Sequence, residues 1–181
     1  MTHYNYFVLD TETTGLIPQQ HKLLSVGIIA LNEFAPVAHT EVIINHLEEE
    51  VISLMDQKVT EMHNKSGLID KVKASTTKLA EAEIALIDFV KRHSLPNVKN
   101  ILIGNSIGFD VSFLKEHMHY LNKQFYYRVI DVSSLNILAR EFKPELAAIV
   151  DSNKVWGHTA LADCYETLKE FRLYMNKIFK Q

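Results

Sequence analysis

The segment FVLDTETTGL, residues 7–16, constrains the fold more than any other part of the sequence. Residues 7–9 are consecutive apolar residues, which is typical of a strand that is buried on both faces. Asp10 and Glu12 follow at once, and residues two apart on a strand project to the same face of the sheet. The sequence therefore predicts a core strand that ends in two carboxylates directed at one point.

Two more strands come early in the sequence, and helices and strands then alternate. The predicted strands cover residues 4–10, 23–32, 37–45, 100–106 and 126–133, and the predicted helices cover 75–93, 109–120, 134–141 and 159 to the end, with a mostly helical region at 48–72. The short NEFAP connection between the second and third strands favours an antiparallel pair. This order of elements predicts an α/β sheet with a mixed edge.

The length, composition and charge of the chain limit what kind of protein it can be and what it can bind. A chain of 181 residues with 47% hydrophobic residues predicts a single globular domain over residues 1–181. A formal charge of −3 excludes a strongly basic surface, so a nucleic-acid partner would have to be short or held through metal ions. The single cysteine, Cys164, the lack of a signal-peptide pattern and the lack of a long apolar run together predict a cytoplasmic protein with no membrane segment.

Two later motifs add three side chains of the same chemical kind. In GNSIGFD, residues 104–110, a strand again runs through a glycine-containing turn to an acid, Asp110. In GHTALAD, residues 157–163, His158 precedes Asp163 by five positions, too far round one helix to share a face with it. If Thr159 is the N-cap, His158 lies in the preceding loop and Asp163 faces inward from the first turns of the helix.

Four carboxylates and a histidine suit hydrolysis assisted by metal ions. Clustered carboxylates repel one another unless cations are present, and hard oxygen ligands suit Mg²⁺ or Mn²⁺. Two such ions about 3.5–4 Å apart stabilise the attacking and leaving oxygens of a phosphodiester, and a neutral histidine can activate the water. The alternative is a set of unrelated surface acids with an incidental histidine. The occurrence of all three motifs at the ends of strands or the start of a helix favours the site.

These residues resemble the pattern of the DEDDh exonucleases, which have the ribonuclease H-like fold. Beyond the catalytic motifs, the segments HNKSGL, YRVIDVSSL and HTALADCYETLKEFRLY are similar to the oligoribonuclease family. The resemblance implies a mixed five-stranded sheet with three early strands, one of them antiparallel, flanked by helices. It also implies a homodimeric, metal-dependent enzyme that degrades very short oligoribonucleotides, dinucleotides especially, from the 3′ end to 5′-mononucleotides.

The resemblance further implies roles for individual residues. Two Mg²⁺ or Mn²⁺ ions would be held by Asp10, Glu12, Asp110 and Asp163, and His158 would activate water. Substrate binding would involve Leu16 as an apolar wedge, a cap on the 5′ phosphate from Ser106, Arg128 and Ser133, and His63 of the partner subunit in the same cap. Structural alternatives exist for three of them, because Ser106 could cap a helix, Arg128 could pair with a surface acid and Leu16 could belong to the core.

Two positions depart from the oligoribonuclease pattern. Thr11 and Thr13 flank Glu12 where the family usually carries leucine and methionine, and they are more similar to the proofreading exonucleases. Lys58 occupies a position at which tryptophan is typical. The alternatives are therefore a broader DEDDh exonuclease acting on longer single-stranded DNA or RNA, or a non-catalytic nucleotide-binding subunit. The second would be expected to have lost at least one of the four acids.

Overall fold

The computed structural model describes residues 3–152, 157 and 159–179, and a five-stranded sheet runs through them. The strands are β1 (Tyr4–Thr13), β2 (Leu23–Asn32), β3 (Ala35–Ile43), β4 (Lys99–Gly104) and β5 (Val129–Asp131), in the spatial order β3-β2-β1-β4-β5. β2 pairs antiparallel with both β1 and β3, whereas β4 and β5 run parallel to β1. The predicted mixed α/β sheet with its antiparallel β2 is confirmed.

Helices cover both faces of the sheet. They are α1 (Glu48–Leu54), α2 (Gln57–Lys65), α3 (Leu68–Ala74), α4 (Leu79–Arg92), α5 (Gly108–His117), α6 (His119–Asn122), α7 (Val132–Phe142), α8 (Pro144–Ser152) and α9 (Ala160–Tyr174), and a π-helical turn (Met175–Phe179) follows α9. Phe7 and Leu9 of β1 pack with buried residues of α4 to α6. Val8, on the other face, packs with buried residues of α7 to α9. None of the described helices is long and apolar enough to cross a membrane.

The structure differs from the sequence prediction in the second half of the chain. The predicted strand at 126–133 shrinks to three residues, because Asp131 caps the start of α7 by accepting a hydrogen bond from the Ser133 amide. The predicted helix at 109–120 is interrupted at Met118, whose φ of −134° and ψ of 61° are not helical. α8 was not predicted. It begins at Pro144, a residue favoured in the first turn of a helix.

A close contact between α9 and the sheet determines where the acids meet. Gly27 of β2 is the direct partner of Asp10, and a Cβ at Gly27 would lie 2.5 Å from the carbonyl carbon of Ala160. Any larger residue would therefore push the start of α9 off the sheet. Because Gly27 leaves this space free, the first turn of α9, with Asp163, packs over the end of β1.

Candidate metal and substrate site

Three acids come together at the end of β1. Asp10 and Glu12 project from one face of the strand, and Asp163 comes from the first turn of α9. One carboxylate oxygen from each lies within 4.8 Å of those of the other two. Thr159 caps α9 as predicted, its hydroxyl accepting from the Ala162 amide at 3.4 Å. The convergence expected from the two motifs is therefore present in the structure.

Asp110 reaches the same strand end from the opposite helical layer. Its Oδ1 accepts hydrogen bonds from the backbone N–H of Thr11 at 2.9 Å and from the Thr11 hydroxyl at 2.7 Å. The carboxylate is 3% exposed, so it is almost completely shielded from water. Since Oδ1 is engaged by Thr11, Oδ2 is the oxygen left for a ligand role.

Burial and mutual repulsion raise the pKa values of these acids, and burial is the larger cause. Burial is the largest cause raising the pKa of Asp10 well above its usual value, and the charges of Asp110, Glu12 and Asp163 add to it. Burial, followed by the charge of Asp163, raises the pKa of Glu12 from 4.5 to about 8. Burial also raises the pKa of Asp110 from 3.8 to about 7, although the hydrogen bonds from Thr11 oppose the shift.

A divalent cation fits this arrangement. Buried carboxylates with raised pKa values are stabilised in their charged form by a nearby cation, and hard oxygen donors suit divalent ions of this type. Asp10, Glu12 and Asp163 offer converging oxygens, and Asp110 lies close enough to raise the pKa of Asp10. The donor set therefore matches a divalent metal centre.

The sequence predicts His158 as the general base. His158 lies outside the described residues, although its neighbours Gly157 and Thr159 are within them. A Cβ at Gly157 would lie 3.9 Å from Oδ1 of Asp163, so the chain passes close to the acids just before residue 158. The role of His158 stays a prediction.

His63 is buried in its own chain, next to Glu12. Its ring is 0% exposed, with Nε2 2.9 Å from the carbonyl oxygen of Thr13 and Nδ1 3.8 Å from Oε2 of Glu12. Within one chain the ring therefore lies at the acidic site. Its role in the phosphate cap of a partner subunit stays a prediction.

Two of the three predicted phosphate-cap residues come together. The hydroxyls of Ser106, in the turn after β4, and Ser133, in the first turn of α7, lie 3.3 Å apart. The backbone N–H of Ser106 donates to Oγ of Ser133 at 2.9 Å and to Oδ1 of Asp131 at 3.0 Å. Ser106 has a φ of 50°, the left-handed region, which turns the backbone toward α7.

Arg128 does not join these serines in the single chain. It is exposed and precedes β5, whereas Ser133 follows that strand. Its Nε donates to the hydroxyl of Tyr127 at 3.0 Å, and its guanidinium carbon lies 5.5 Å from the centre of the Tyr127 ring. A side-chain rearrangement or a second subunit is needed before Arg128 can contribute to a cap.

Leu16 is held on the surface by an ordered loop. It is 78% exposed, so the alternative of a core leucine is excluded. The loop is closed by hydrogen bonds between Thr14 and Lys22, and it is fastened to α5 where His117 Nε2 lies 3.0 Å from the Pro18 carbonyl oxygen. An exposed leucine on a fixed loop beside the acids is suited to contact a flat apolar surface.

Two side chains near the acids were missed by the sequence reasoning. Thr11 was noted only as a departure from a family pattern, yet it anchors Asp110. Glu41 of β3 lies two strands from Asp10, in the row Asp10–Gly27–Glu41, and its charge contributes to the raised pKa values of Asp10 and Glu12. The row depends on strand register, which a single sequence does not specify here.

Comparison with known proteins agrees with this geometry. Residues 7–171 match the RNase_T family of exonucleases. An oligoribonuclease of Thiobacillus denitrificans is 40% identical over 168 residues, covering 92% of this chain and 90% of that protein. The chain belongs to the oligoribonuclease family. Oligoribonucleases of Bordetella pertussis and Klebsiella pneumoniae are 38% and 37% identical and cover 95% and 97% of the chain, and 94% and 96% of their own lengths.

Solved structures confirm the fold of this oligoribonuclease family member. Escherichia coli exonuclease I in a zinc-bound complex with single-stranded DNA matches with a TM-score of 0.74 and 14% identity, over 98% of this chain and 41% of that one. Schizosaccharomyces pombe Pop2p in its Mg²⁺- and Mn²⁺-bound form matches with a TM-score of 0.70 and 15% identity, over 98% of this chain and 85% of that one. At these identities the likeness establishes the ribonuclease H-like fold alone.

Proposed function

We propose that this protein is a 3′-to-5′ exoribonuclease that hydrolyses very short oligoribonucleotides, dinucleotides especially, to 5′-mononucleotides. The observation that carries the proposal is the convergence of Asp10, Glu12 and Asp163 within 4.8 Å, in a chain 40% identical to an oligoribonuclease. The whole chain, residues 1–181, would act as one catalytic domain. With a single cysteine that is buried and free, Cys164, it suits a reducing compartment, and we place it in the cytoplasm.

The acids would bind the cofactor. Asp10, Glu12, Asp110 and Asp163 would hold two Mg²⁺ or Mn²⁺ ions, which when bound stabilise the attacking and leaving oxygens of a phosphodiester. Thr11 keeps one oxygen of Asp110 occupied and so fixes the direction of the other. His158 would accept the proton of the attacking water as general base.

Both ends of a short RNA would be recognised by residues around the acids. Leu16 would pack against the bases, and His63 of the partner subunit would contribute to the cap on the 5′ phosphate. Ser106, Ser133 and Arg128 would bind the 5′ phosphate. A closed phosphate site limits substrate length, and a dinucleotide needs no long basic groove, in agreement with the net charge of −3.

A homodimer is supported by an exposed apolar face of α7. Ile137, Leu138 and Phe142 are 68%, 53% and 76% exposed on this one helix. Clustered large apolar side chains at the surface mark interaction sites. We propose that a second copy of the chain covers this face, which lies just beyond β5 and its neighbour Arg128.

The decisive test is a timed digestion of 5′-labelled RNAs of two to about ten nucleotides, with matched DNAs, in Mg²⁺ or Mn²⁺. Rapid cleavage of the dinucleotide with much slower cleavage of longer RNAs is expected. Comparable rates at every length would instead favour the broader exonuclease, which the threonines around Glu12 favour mildly. No hydrolysis of any substrate by protein with bound metal would favour a non-catalytic subunit.

A further inference from the structure

A chain of hydrogen bonds runs from Ser106 and Ser133 into the protein interior. The hydroxyl of Ser133 donates to Oδ1 of Asn105 at 3.2 Å. Nδ2 of Asn105 donates in turn to Oγ1 of Thr167 at 3.1 Å and to Oε2 of Glu170 at 3.3 Å, both on α9. Thr167 and Glu170 are 3% and 5% exposed, so the inner end of this hydrogen-bond series is shielded from water.

The carboxylate of Glu170 fixes the orientation of the Asn105 amide. Both oxygens of Glu170 accept hydrogen bonds, Oε2 from Asn105 and Oε1 from Asn136, so the NH₂ group of Asn105, and not its oxygen, faces Glu170. Oδ1 is then turned toward Ser133. A flipped amide would place two acceptors face to face at Glu170 and would present a donor to Ser133, and burial makes such a mismatch costly.

The orientation of Asn105 in turn sets the position of Ser133. The Ser133 hydroxyl gives its proton to Asn105, and its oxygen therefore accepts the Ser106 N–H at 2.9 Å. These two bonds select one rotamer of Ser133. Because its one O–H is donated to Asn105, the hydroxyl of Ser106, 3.3 Å away, is the donor left for a phosphate. Ser106 is exposed whereas Ser133 is half-buried, so the ordered pair borders the solvent.

We propose that Asn105 and Glu170 are positioning residues for recognition of the 5′ phosphate: Glu170 orients the amide of Asn105, and Asn105 holds Ser133 in the rotamer that pairs with Ser106. This inference rests on the proposed phosphate site, in which the Ser106 hydroxyl would donate to the phosphate and Ser133 would hold Ser106 in place. Glu170, the buried carboxylate of α9, would therefore affect substrate selection without contacting the substrate.

The experiment compares two dinucleotides, pApA and ApA, which differ only in the 5′ phosphate. Asn105→Ala is expected to lower the preference for pApA over ApA, measured as the ratio of kcat/KM, by about tenfold, the value of one well-placed hydrogen bond to a charged group. The loss should appear in KM, with kcat for ApA unchanged. Glu170→Gln should lower the ratio by less, because Thr167 still accepts from the amide.

A double-mutant cycle separates positioning from a general structural effect. If Asn105 acts through Ser133, Asn105→Ala combined with Ser133→Ala should be no worse than Ser133→Ala alone. The matched control is Asn136→Ala, because Asn136 donates to the same Glu170 at 3.4 Å from the other side and should leave the pApA preference intact. Thermal unfolding of every variant reports its folding.

The outcomes distinguish this inference from the proposed function. Asn105→Ala could lower kcat/KM equally for pApA and ApA, or its effect could add to that of Ser133→Ala. Either result would overturn the positioning role but not the proposed phosphate binding by the serines. An unchanged ratio in Ser133→Ala would overturn the cap and the positioning role with it. If Asn105→Ala unfolds, an unchanged ratio in Glu170→Gln together with an unchanged ratio in Thr167→Val would overturn the inference.

Discussion

Removing divalent ions should destabilise this protein more as the pH rises. The pKa of Glu12 in the folded chain is about 8, against 4.5 for an ordinary glutamate. Because the folded state holds the proton more tightly, the stability that this proton provides is complete below about pH 4.5 and is lost as the pH rises through about 8. The neighbouring Asp110, with a pKa of about 7, acts in the same direction.

The size of the effect follows from the pKa of Glu12. Between pH 5.5 and 8, at 1.36 kcal/mol per pH unit, Glu12 alone accounts for about 3 kcal/mol of unfolding free energy as an upper bound. In a chain of 181 residues each kcal/mol corresponds to about 2–4 °C in Tm. The Tm of the metal-free protein should therefore fall over this range by at most about 6–12 °C on account of Glu12.

Thermal unfolding in EDTA at pH 5.5 and 8.5, with and without added Mn²⁺, measures this directly. The Glu12→Gln variant has no charge at position 12 at either pH. Without metal, its Tm should therefore equal that of the parent at pH 5.5 and exceed it at pH 8.5. Mn²⁺ should raise the Tm of the parent most at the higher pH. A parent and variant with the same pH dependence in EDTA would refute the assignment of a raised pKa to Glu12.

Three further changes test other parts of the proposal. Asp110→Ala should abolish turnover because it removes a metal ligand, and with little loss of folding because the relief of charge repulsion offsets the loss of the two hydrogen bonds from Thr11; retained activity would contradict the assignment. Thr11→Val should weaken Mn²⁺ binding, measured by calorimetry, by about threefold to tenfold through loss of one hydrogen bond to Asp110; Thr13→Val, whose hydroxyl donates to a backbone carbonyl instead, is the control. Phe142→Glu should convert the dimer to monomer in sedimentation, whereas Ile84→Glu, at a 61% exposed position on α4, should not; a monomeric parent would refute the proposed dimer.

The parts of the site that were predictable from sequence depend on local periodicity. Asp10 and Glu12 follow from the two-residue repeat of a strand, and the inward direction of Asp163 follows from a helix that begins after Thr159. The parts that were missed depend on distant pairings. Asn105 and Glu170 are 65 positions apart, and Glu41 meets Asp10 only through the register of three strands.

The length of β5 illustrates a local competition that the pattern did not reveal. YYRVIDVS has the aromatic and β-branched composition of a longer strand. Asp131, however, turns its carboxylate to the Ser133 amide and starts α7, which ends the strand after three residues. The helix cap overrides the strand propensity, and it is this early end of β5 that brings Ser133 beside Ser106.

The same carboxylate determines which residue must dominate phosphate recognition. Oδ1 of Asp131 already accepts the backbone N–H groups of Ser106 and Ser133, so those donors are not available to a 5′ phosphate. The hydroxyl of Ser106 remains, because the O–H of Ser133 is donated to Asn105, but it is neutral, whereas a phosphate placed near Asp131 needs a positive charge for compensation. Arg128→Ala should therefore lower kcat/KM for pApA more than Ser106→Ala does, with ApA much less affected by either change. If Ser106→Ala instead lowers kcat/KM for pApA more than Arg128→Ala does, a group other than Arg128 balances the charge of Asp131.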